Sequence, residues 1–106
     1  MNIESLRDFV LSFPNVEETT PFGLDTLVYK VNGKMFFLMG LDNEPLQFNV
    51  KCDPDEAVEL REMYPQSVLP GYHMNKKHWN TVVVDGILSS KQLQSFIEAS
   101  YNLVRK

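Results

Sequence analysis

Apolar residues recur along this chain at two spacings, one helical and one alternating, and the two spacings divide it into helices and strands. The N-terminal segment has the helical spacing, begins behind Asn2, a good N-cap, and ends before Pro14. Its apolar stripe consists of Ile3, Leu6, Val10 and Phe13. The pattern predicts an amphipathic first helix.

The segment TLVYKVNGKMFFLMGL alternates on both sides of Asn32-Gly33, a pair that tolerates the positive φ angles of a two-residue hairpin turn. Regular alternation predicts that one face of this hairpin carries Leu27, Tyr29, Val31, Lys34, Phe36 and Leu38. The opposite face would carry Val28, Lys30, Met35, Phe37 and Met39. We therefore expect Phe36→Ala to destabilise the protein more than Phe37→Ala, because only Phe36 would lie in the core.

Local signals predict four further elements. LQFNV is a third strand, with Leu46, Phe48 and Val50 on one side and Gln47 and Asn49 opposite. A second helix begins with Asp53 as its cap and Pro54 in its first position, and it ends before Pro65. WNTVVVDG is another strand, and the last helix begins at a capping box of Ser89 and Gln92.

The resulting order, α-β-β-β-α-β-α with a further short strand near residues 17–22, predicts an α+β fold in a single domain, residues 1–106. We expect a twisted antiparallel sheet with helices packed on one face. The other face would be open, and Lys30, Met35, Phe37 and Met39 would lie on it. An exposed apolar patch of that kind indicates a partner or a ligand, unless a loop folds over it.

The charge of the chain is acidic overall but unevenly distributed. The 106 residues have a formal net charge of -4 and a pI near 5.0, which argues against unspecific attraction to nucleic acid. Residues 63–84 nevertheless contain no acid, and they include Lys76, Lys77, His73 and His78. This interval is a positive segment in a negative chain.

Three features of the sequence indicate the cellular compartment. Cys52 is the only cysteine, so no internal disulfide forms. The N-terminus lacks the basic-then-apolar pattern of a secretion signal, and no apolar run approaches the roughly 18 residues of a membrane span. We expect a cytoplasmic protein without membrane association.

The segment PGYHMNKKHWNTV, residues 70–82, concentrates polar and aromatic side chains. In a binding loop its lysines would neutralise phosphates, its histidines would donate hydrogen bonds, and its large aromatic side chains would stack on bases. The candidate binding residues, including two from the open face of the sheet, are Tyr72, His73, Asn75, Lys76, Lys77, His78, Trp79, Asn80, Lys30 and Phe37.

The alternative interpretation is a structural loop. In that case Tyr72 and Trp79 would anchor the loop to the core, Asn75 and Asn80 would bond to backbone groups, and the lysines would only face water. Strand alternation leaves the position of Trp79 open. If Val82 points into the core, Trp79 lies on the opposite face. If Trp79 points into the core, Val82 does not.

The sequence contains no motif of a known catalytic or cofactor site, such as G-x-G-x-x-G, G-x-S-x-G or H-E-x-x-H. His73 and His78 are five residues apart, which differs from the four-residue spacing of a helical zinc pair. Cys52 precedes a helix, where a thiolate is favoured, but no histidine adjoins it in the sequence. We expect no enzyme activity, cofactor or metal, with an enzyme or metal site at the His73/His78 loop as the lesser alternative.

The chain resembles the MmcQ/YjbR-like family over nearly its whole length. The resemblance lies in PGYHMNKKHWNTV, in the DG that follows it and the SY of the last helix, and in PFG (residues 21–23), VNGKMFFLM (31–39) and AVELREMYP (57–65), all in the order of that family. The resemblance implies a fold like that of CyaY and frataxin. It also implies DNA binding through a double-wing arrangement of β-hairpins.

We therefore expect a small binding module of the MmcQ/YjbR type that binds DNA or another nucleic acid through the basic and aromatic loop, residues 72–80. A protein-protein adaptor that uses the open sheet face is the alternative. Binding to phosphates weakens steeply with salt, whereas an apolar protein contact responds little.

Overall fold

The computed structural model describes residues 1–72 and 74–106, and within them it has three helices and six strands. The helices are α1 (Ile3–Leu11), α2 (Pro54–Met63) and α3 (Ser90–Val104). The strands are β1 (Val16–Thr19), β2 (Thr26–Val31), β3 (Lys34–Gly40), β4 (Gln47–Lys51), β5 (Val68–Pro70) and β6 (Trp79–Val83). The sequence did not predict β5, because three residues are too few to show an alternating pattern.

Side-chain caps and one tight turn set the boundaries of these elements, as the local signals predicted. Asn2 and Ser89 each form a reciprocal capping box at the start of α1 and α3. The Asp53 side chain accepts hydrogen bonds from two backbone N–H groups in the first turn of α2. Asn32 and Gly33 have φ angles of 53° and 77°, which is the left-handed geometry expected for a two-residue hairpin between β2 and β3.

The strands form one antiparallel sheet in the order β1-β2-β3-β4-β6-β5, and the helices pack against one of its faces. This arrangement confirms the predicted α+β class. The main core lies between the helices and this helix-covered face, and its largest fully buried side chains include Leu6, Tyr29, Phe36, Phe37, Phe48, Leu93 and Ile97. The other face, which we call the open face, carries a small second cluster.

A β-bulge in β3 changes the register that regular alternation predicts. Tyr29 pairs with Phe37 and Lys30 pairs with Met35, so Phe36 is an extra residue without a partner in β2. Because of the extra residue, Phe36 and Phe37 both lie in the main core, and both are 0% exposed. The prediction that Phe37 lies on the open face was therefore wrong.

The bulge also exchanges the faces predicted for Leu38 and Met39. Met39 lies in the main core, and Leu38 lies in the open-face cluster with Val28. Both assignments are the opposite of the predicted ones, because a one-residue shift exchanges the two faces of a strand. Before the bulge the predicted register holds, and Met35 packs against the open-face cluster.

The hydroxyl group of Ser100 occupies the gap that the bulge opens between β3 and β4. The Ser100 hydroxyl donates to the carbonyl oxygen of Phe36 over 2.6 Å and accepts from the backbone N–H of Lys51 over 2.8 Å. The paired residues of β3 and β4 begin at Phe37 and Val50, so these two backbone groups lie beyond the ladder. Ser100 is 0% exposed and links α3 to both strands.

A polar network joins α1 to the edge strand β1. Arg7 and Glu18 form a salt bridge at 2.6 Å, and the Tyr29 hydroxyl donates to the same carboxylate over 2.6 Å. The hydrogen bond from Arg7, followed by the one from Tyr29, lowers the pKa of Glu18 below its usual range. Burial, together with the hydrogen bond to Glu18, raises the pKa of Tyr29.

The lowered pKa of Glu18 makes part of the stability depend on pH. A carboxyl group whose pKa is lower in the folded state stabilises the protein above its unfolded pKa, and this contribution is lost as the pH falls through the folded pKa. We expect Glu18→Gln to lower the free energy of unfolding at pH 7, and the difference from wild type to shrink as the pH falls below about 4. Urea unfolding across this range measures the effect.

Glu17→Gln is the matched control, because Glu17 is the exposed neighbour in β1 and the substitution removes the same charge. Its effect on the free energy of unfolding at pH 7 should be smaller than that of Glu18→Gln, because a cross-strand pair such as Glu17 and Lys30 contributes at most about 1 kcal/mol. A constant difference between Glu18→Gln and wild type from pH 7 to the acid range would contradict the assigned role of the carboxylate.

Candidate functional site

Strand direction brings two hairpins to the same end of the sheet. The β2–β3 turn at Asn32-Gly33, the last residue of β4 and the loop between β5 and β6 all lie there, since Lys51 pairs with Trp79 and Pro70 pairs with Asn80. The last turn of α3 reaches the same end, where Asn32 Nδ2 donates to the carbonyl oxygen of Arg105 over 3.2 Å. We call it the lysine end, and its cations are Lys30, Lys34, Lys51, Arg61, Lys76, Lys77, Arg105 and Lys106.

The loop between β5 and β6 is fixed by hydrogen bonds to its own residues and to two neighbouring segments. The carbonyl oxygen of Asn75 accepts from the N–H groups of His78 and Trp79, over 3.1 and 3.0 Å. From outside the loop, the backbone N–H of Cys52 donates to the carbonyl oxygen of His78, and the Arg61 guanidinium donates to that of Lys76. Residues 75–78 of the loop are therefore held in a defined conformation, with Lys76 and its neighbour Lys77 exposed.

Gly71 allows the start of this loop to approach Trp79 closely. A Cβ atom at position 71 would lie 2.8 Å from the Cβ of Trp79 and 3.1 Å from that of Met74, so any larger residue would push the loop away. The N–H of the next residue, Tyr72, donates to the Thr81 hydroxyl over 3.0 Å. The loop thus folds back over β6 on the open face.

Trp79 lies beneath this loop and forms the open-face cluster with Val28 and Leu38. Met35 and Met74 pack against the cluster, and Trp79 is only 7% exposed. The indole ring is consequently a structural anchor, and the prediction that Trp79 offers a stacking surface was wrong. The structure also decides which face of β6 points into the main core. Val82 lies in the main core, so Trp79 lies on the opposite side of the sheet.

The structure places Asn80 away from the loop surface. It is 1% exposed and faces the helices, where its Nδ2 donates to the carbonyl oxygen of Ala57 in α2 over 3.4 Å. Phe37 also lies on this face of the sheet. Neither side chain is available to a ligand on the open face, so both were wrong as members of the predicted binding surface.

The remaining predicted site residues come together at the lysine end. Tyr72 is 64% exposed. Asn75, Lys76 and Lys77 are exposed, and His78 is half-buried. Lys30 lies on the open face, paired with Met35, and is also half-buried. His73 lies outside the described residues, so the predictions made for it, including the His73/His78 metal or enzyme site, stay predictions.

The charges of the fold are separated between its two ends. Strands β2 to β6 contain no Asp or Glu, and their lysines all lie at the lysine end. At the opposite end, where β2 begins and β6 ends, the connecting segments carry Asp25, Asp42, Glu44 and Asp85. Such a separation produces a local positive potential that the net charge of the chain conceals.

Two acidic segments do lie near the lysine end. Glu17 pairs with Lys30 across β1 and β2, at the far edge of the sheet from the β5–β6 loop. Asp53 caps α2 and the first turn of the helix carries Asp55 and Glu56, but α2 packs on the helix-covered face. The open face between Lys30 and Lys77 is therefore the side of this end with the fewest acids.

A cleft on the helix-covered face was not predicted. Helix α3 packs over β3 and β4, and α2 packs against β5, so β6 runs beneath the gap between the two helices. The cleft has a volume of about 270 Å³. Among the residues lining it is Asn80, whose Oδ1 has no hydrogen-bond partner in the part of the chain that the structure describes.

Cys52 lies at the edge of this cleft, and its environment keeps the thiol protonated. Burial, followed by the nearby carboxylates of Glu56 and Asp53, raises the pKa of Cys52 to about 11. The position before a helix by itself favours a thiolate, but desolvation and two acids outweigh the helix N-terminus here.

Within residues 1–72 and 74–106, no group of three or more His, Cys, Asp or Glu side chains lies close enough together to hold a metal ion. None of the helices in these same ranges is long and apolar enough to cross a membrane.

Two solved structures are similar to this fold. The crystal structure of the Deinococcus radiodurans protein DR2400, with the domain DUF419, superposes with a TM-score of 0.94 at 40% identity, over 99% of this chain and 79% of that one. The crystal structure of a Pseudomonas syringae protein superposes with a TM-score of 0.81 at 27% identity, over 99% of this chain and 100% of that one.

Sequence comparison identifies relatives with the same domain. The uncharacterised protein YbdF of Escherichia coli O157:H7 is 40% identical over 102 residues, which cover 95% of this chain and 82% of YbdF. The uncharacterised protein YjbR of Escherichia coli K12 is 30% identical over 102 residues, covering 95% of this chain and 85% of YjbR. The sequence model of the YjbR family matches residues 11–103. The chain therefore belongs to the YjbR family.

Proposed function

We propose that this protein binds nucleic acid, with DNA as the first candidate, through the open face at the lysine end. The observation that carries the proposal is the separation of charge between the two ends of the sheet. At this end Lys30 lies on the open face and Lys76 and Lys77 are exposed in the β5–β6 loop, whereas Lys34, paired with Val31, lies at the turn on the helix-covered side. The acidic connections lie at the other end, so the dipole of the molecule favours one orientation on a polyanion.

The defined conformation of the β5–β6 loop supports this proposal. Bonds from Cys52 and Arg61 fix the backbone at His78 and Lys76, so Lys76 and Lys77 are presented without ordering this part of the chain on binding. Lysine side chains act as point charges towards phosphate and read no sequence by themselves. Tyr72 adds an exposed aromatic ring beside them, which suits stacking on an unpaired base.

Cytoplasmic location is part of the same proposal. It rests on the lone Cys52, a free thiol that is half-buried and has no partner cysteine in the chain.

The adaptor alternative has lost its strongest support, because Phe37 and Met39 lie in the core and the open-face cluster is covered by Met74.

The proposal predicts a specific change in the salt dependence of binding. Lys76 and Lys77 would each contact about one phosphate, so Lys76→Ala/Lys77→Ala should reduce the slope of log affinity against log salt by roughly two on duplex DNA. Folding should be unchanged, since both side chains are exposed. Fluorescence anisotropy with single- and double-stranded DNA and RNA, beginning at about 50 mM salt, measures the slope.

Lys91→Ala is the matched control for the single variant Lys77→Ala. Lys91 is an exposed lysine in the first turn of α3, which follows Asp85 at the acidic end. Its removal changes the net charge equally but should leave the salt slope as in wild type. Absence of binding to all four nucleic acids, or an equal change of slope in Lys91→Ala and Lys77→Ala, would refute the proposed interface.

A further inference from the structure

The cleft between α2 and α3 lies on the helix-covered face of the sheet, opposite the open face. Its shape follows from the spacing of the two helices. The side chain of Gln92 in α3 donates to the Tyr64 hydroxyl at the end of α2 over 3.1 Å, which joins the helices at one point. Away from that contact β6 runs beneath the gap between the helices, with Asn80 and Val82 buried at its floor. The volume of about 270 Å³ is close to the lower end of the range of about 300–1,000 Å³ that is usual for ligand sites.

The lining of the cleft is mainly apolar. The floor comes from β4, β5 and β6, and the walls come from α2 and α3. The apolar residues that line it are Val50, Leu60, Met63, Val68, Val82, Phe96 and Ala99. An apolar lining with a few convergent polar groups is the usual composition of a small-molecule site.

Asn80 is the buried polar side chain in this lining. Its amide orientation is set by Ala57, because the Nδ2 group donates to the carbonyl oxygen of that residue and a reversed amide would place two oxygens together. The Oδ1 atom is then left as an acceptor that is buried and, among the described residues, without a hydrogen-bond partner. Buried acceptors are nearly always paired, so this one calls for a donor from outside the chain.

The charged residues around the cleft indicate the charge of that donor. Glu56 and Glu59 of α2 line it, and Lys51 is the cation among the lining residues. Cys52 also lines it, and its raised pKa keeps the thiol neutral. Arg61 lies behind the lining and donates to the carbonyl oxygens of Ala57 and Lys76. The lining itself carries two carboxylates against one ammonium group, which favours a ligand with a positive charge.

We propose that this cleft binds a small primary amine with an apolar body. The amine N–H donates to Oδ1 of Asn80, the apolar body packs between Leu60 and Phe96, and the carboxylates of α2 compensate the positive charge. The proposal does not rest on nucleic-acid binding, since Leu60, Asn80 and Phe96 lie on the helix-covered face, although Lys51 borders both the cleft and the lysine end.

Titration of the full chain with phenethylamine, followed by the backbone amide signals in NMR spectra, tests this proposal. We expect saturable shifts at Leu60, Asn80 and Ala99, with none at Lys77, and a dissociation constant of about 1 mM. 2-Phenylethanol, which is neutral, should bind several-fold more weakly, and phenylacetate, which is an anion, should not bind at up to about 10 mM. Equal binding of the amine and the alcohol, or of the amine and the acid, would overturn the assignment of an amine.

Four variants locate the site. Asn80→Leu should weaken phenethylamine binding about tenfold, because the acceptor is lost while the volume is kept. Glu59→Gln should weaken it several-fold, whereas the matched control Glu62→Gln, an exposed acid of α2 outside the lining, should not. Ala99→Trp, at an exposed position of α3, should abolish binding by filling the cleft, and it keeps the test valid if Asn80→Leu does not fold. Unchanged binding in Ala99→Trp, or in a folded Asn80→Leu, would overturn the proposal.

Discussion

Phe36→Ala and Phe37→Ala should each lower the free energy of unfolding by about 3 to 5 kcal/mol, and the two losses should be similar. Both side chains are 0% exposed in the main core, because the β-bulge turns both of them towards the helices. Phe37 stacks on Phe48 with ring centroids 5.0 Å apart, and Phe36 contacts Tyr101 edge to face at 5.4 Å. Urea unfolding of the three proteins, including wild type, measures the two losses.

Phe22→Ala is the control for this pair. It removes the same side chain at a position that is 62% exposed, so its effect should stay within about 0.5 kcal/mol. A Phe37→Ala variant that behaves like Phe22→Ala would contradict the bulge and restore the regular alternation of β3.

The second large effect concerns Ser100, the residue that joins the bulge to α3. Ser100→Ala leaves the carbonyl oxygen of Phe36 and the N–H of Lys51 without their hydrogen bonds. A buried backbone group without a partner costs about 1 to 3 kcal/mol, so we expect a loss of about 2 to 4 kcal/mol for the two together. Chemical denaturation measures the loss, and hydrogen exchange at the Lys51 amide should accelerate.

Ser95→Ala separates this effect from a general effect of removing a hydroxyl from α3. The Ser95 hydroxyl is exposed and donates only to the carbonyl oxygen of Gln92 in its own helix, over 2.8 Å. Its removal should change stability by less than about 0.5 kcal/mol. Comparable losses in Ser95→Ala and Ser100→Ala would show that the bridge between the strands contributes little.

The bulge and the cleft both adjoin α3, which packs over β3 and β4. Ser100 ties the helix to these two strands, and α2 packs against β5 on the far side of β6. The gap above β6 lies between the two helices. Loss of the Ser100 hydroxyl should therefore disturb the cleft as well as the core, whereas the lysine end should be little affected.

Local sequence signals determined the elements of the fold. Asn2, Asp53 and Ser89 cap the three helices as predicted, and Asn32-Gly33 forms the predicted hairpin turn. These features depend on residues within four positions of one another, so neighbouring side chains decide them. The uneven charge of the chain was also visible, because the acid-free interval around Lys76 is a property of the sequence itself. The resemblance to the YjbR family was confirmed, and the likeness to CyaY and frataxin stays a prediction.

Only the tertiary structure decided which face of the sheet each side chain occupies and where a ligand could bind. The bulge at Phe36 depends on Ser100, which is 64 residues away, and no local pattern reports such a contact. The same holds for Trp79 and Asn80, because alternation requires them to face opposite sides but does not say which side has the helices. That choice follows from packing, since Val82 completes the core and therefore places Asn80 beneath the gap between α2 and α3. Hydrogen bonds between distant segments and the spacing of the helices depend on how the whole chain packs. The sequence therefore supplied the candidate residues, and the folded chain decided which of them share a surface.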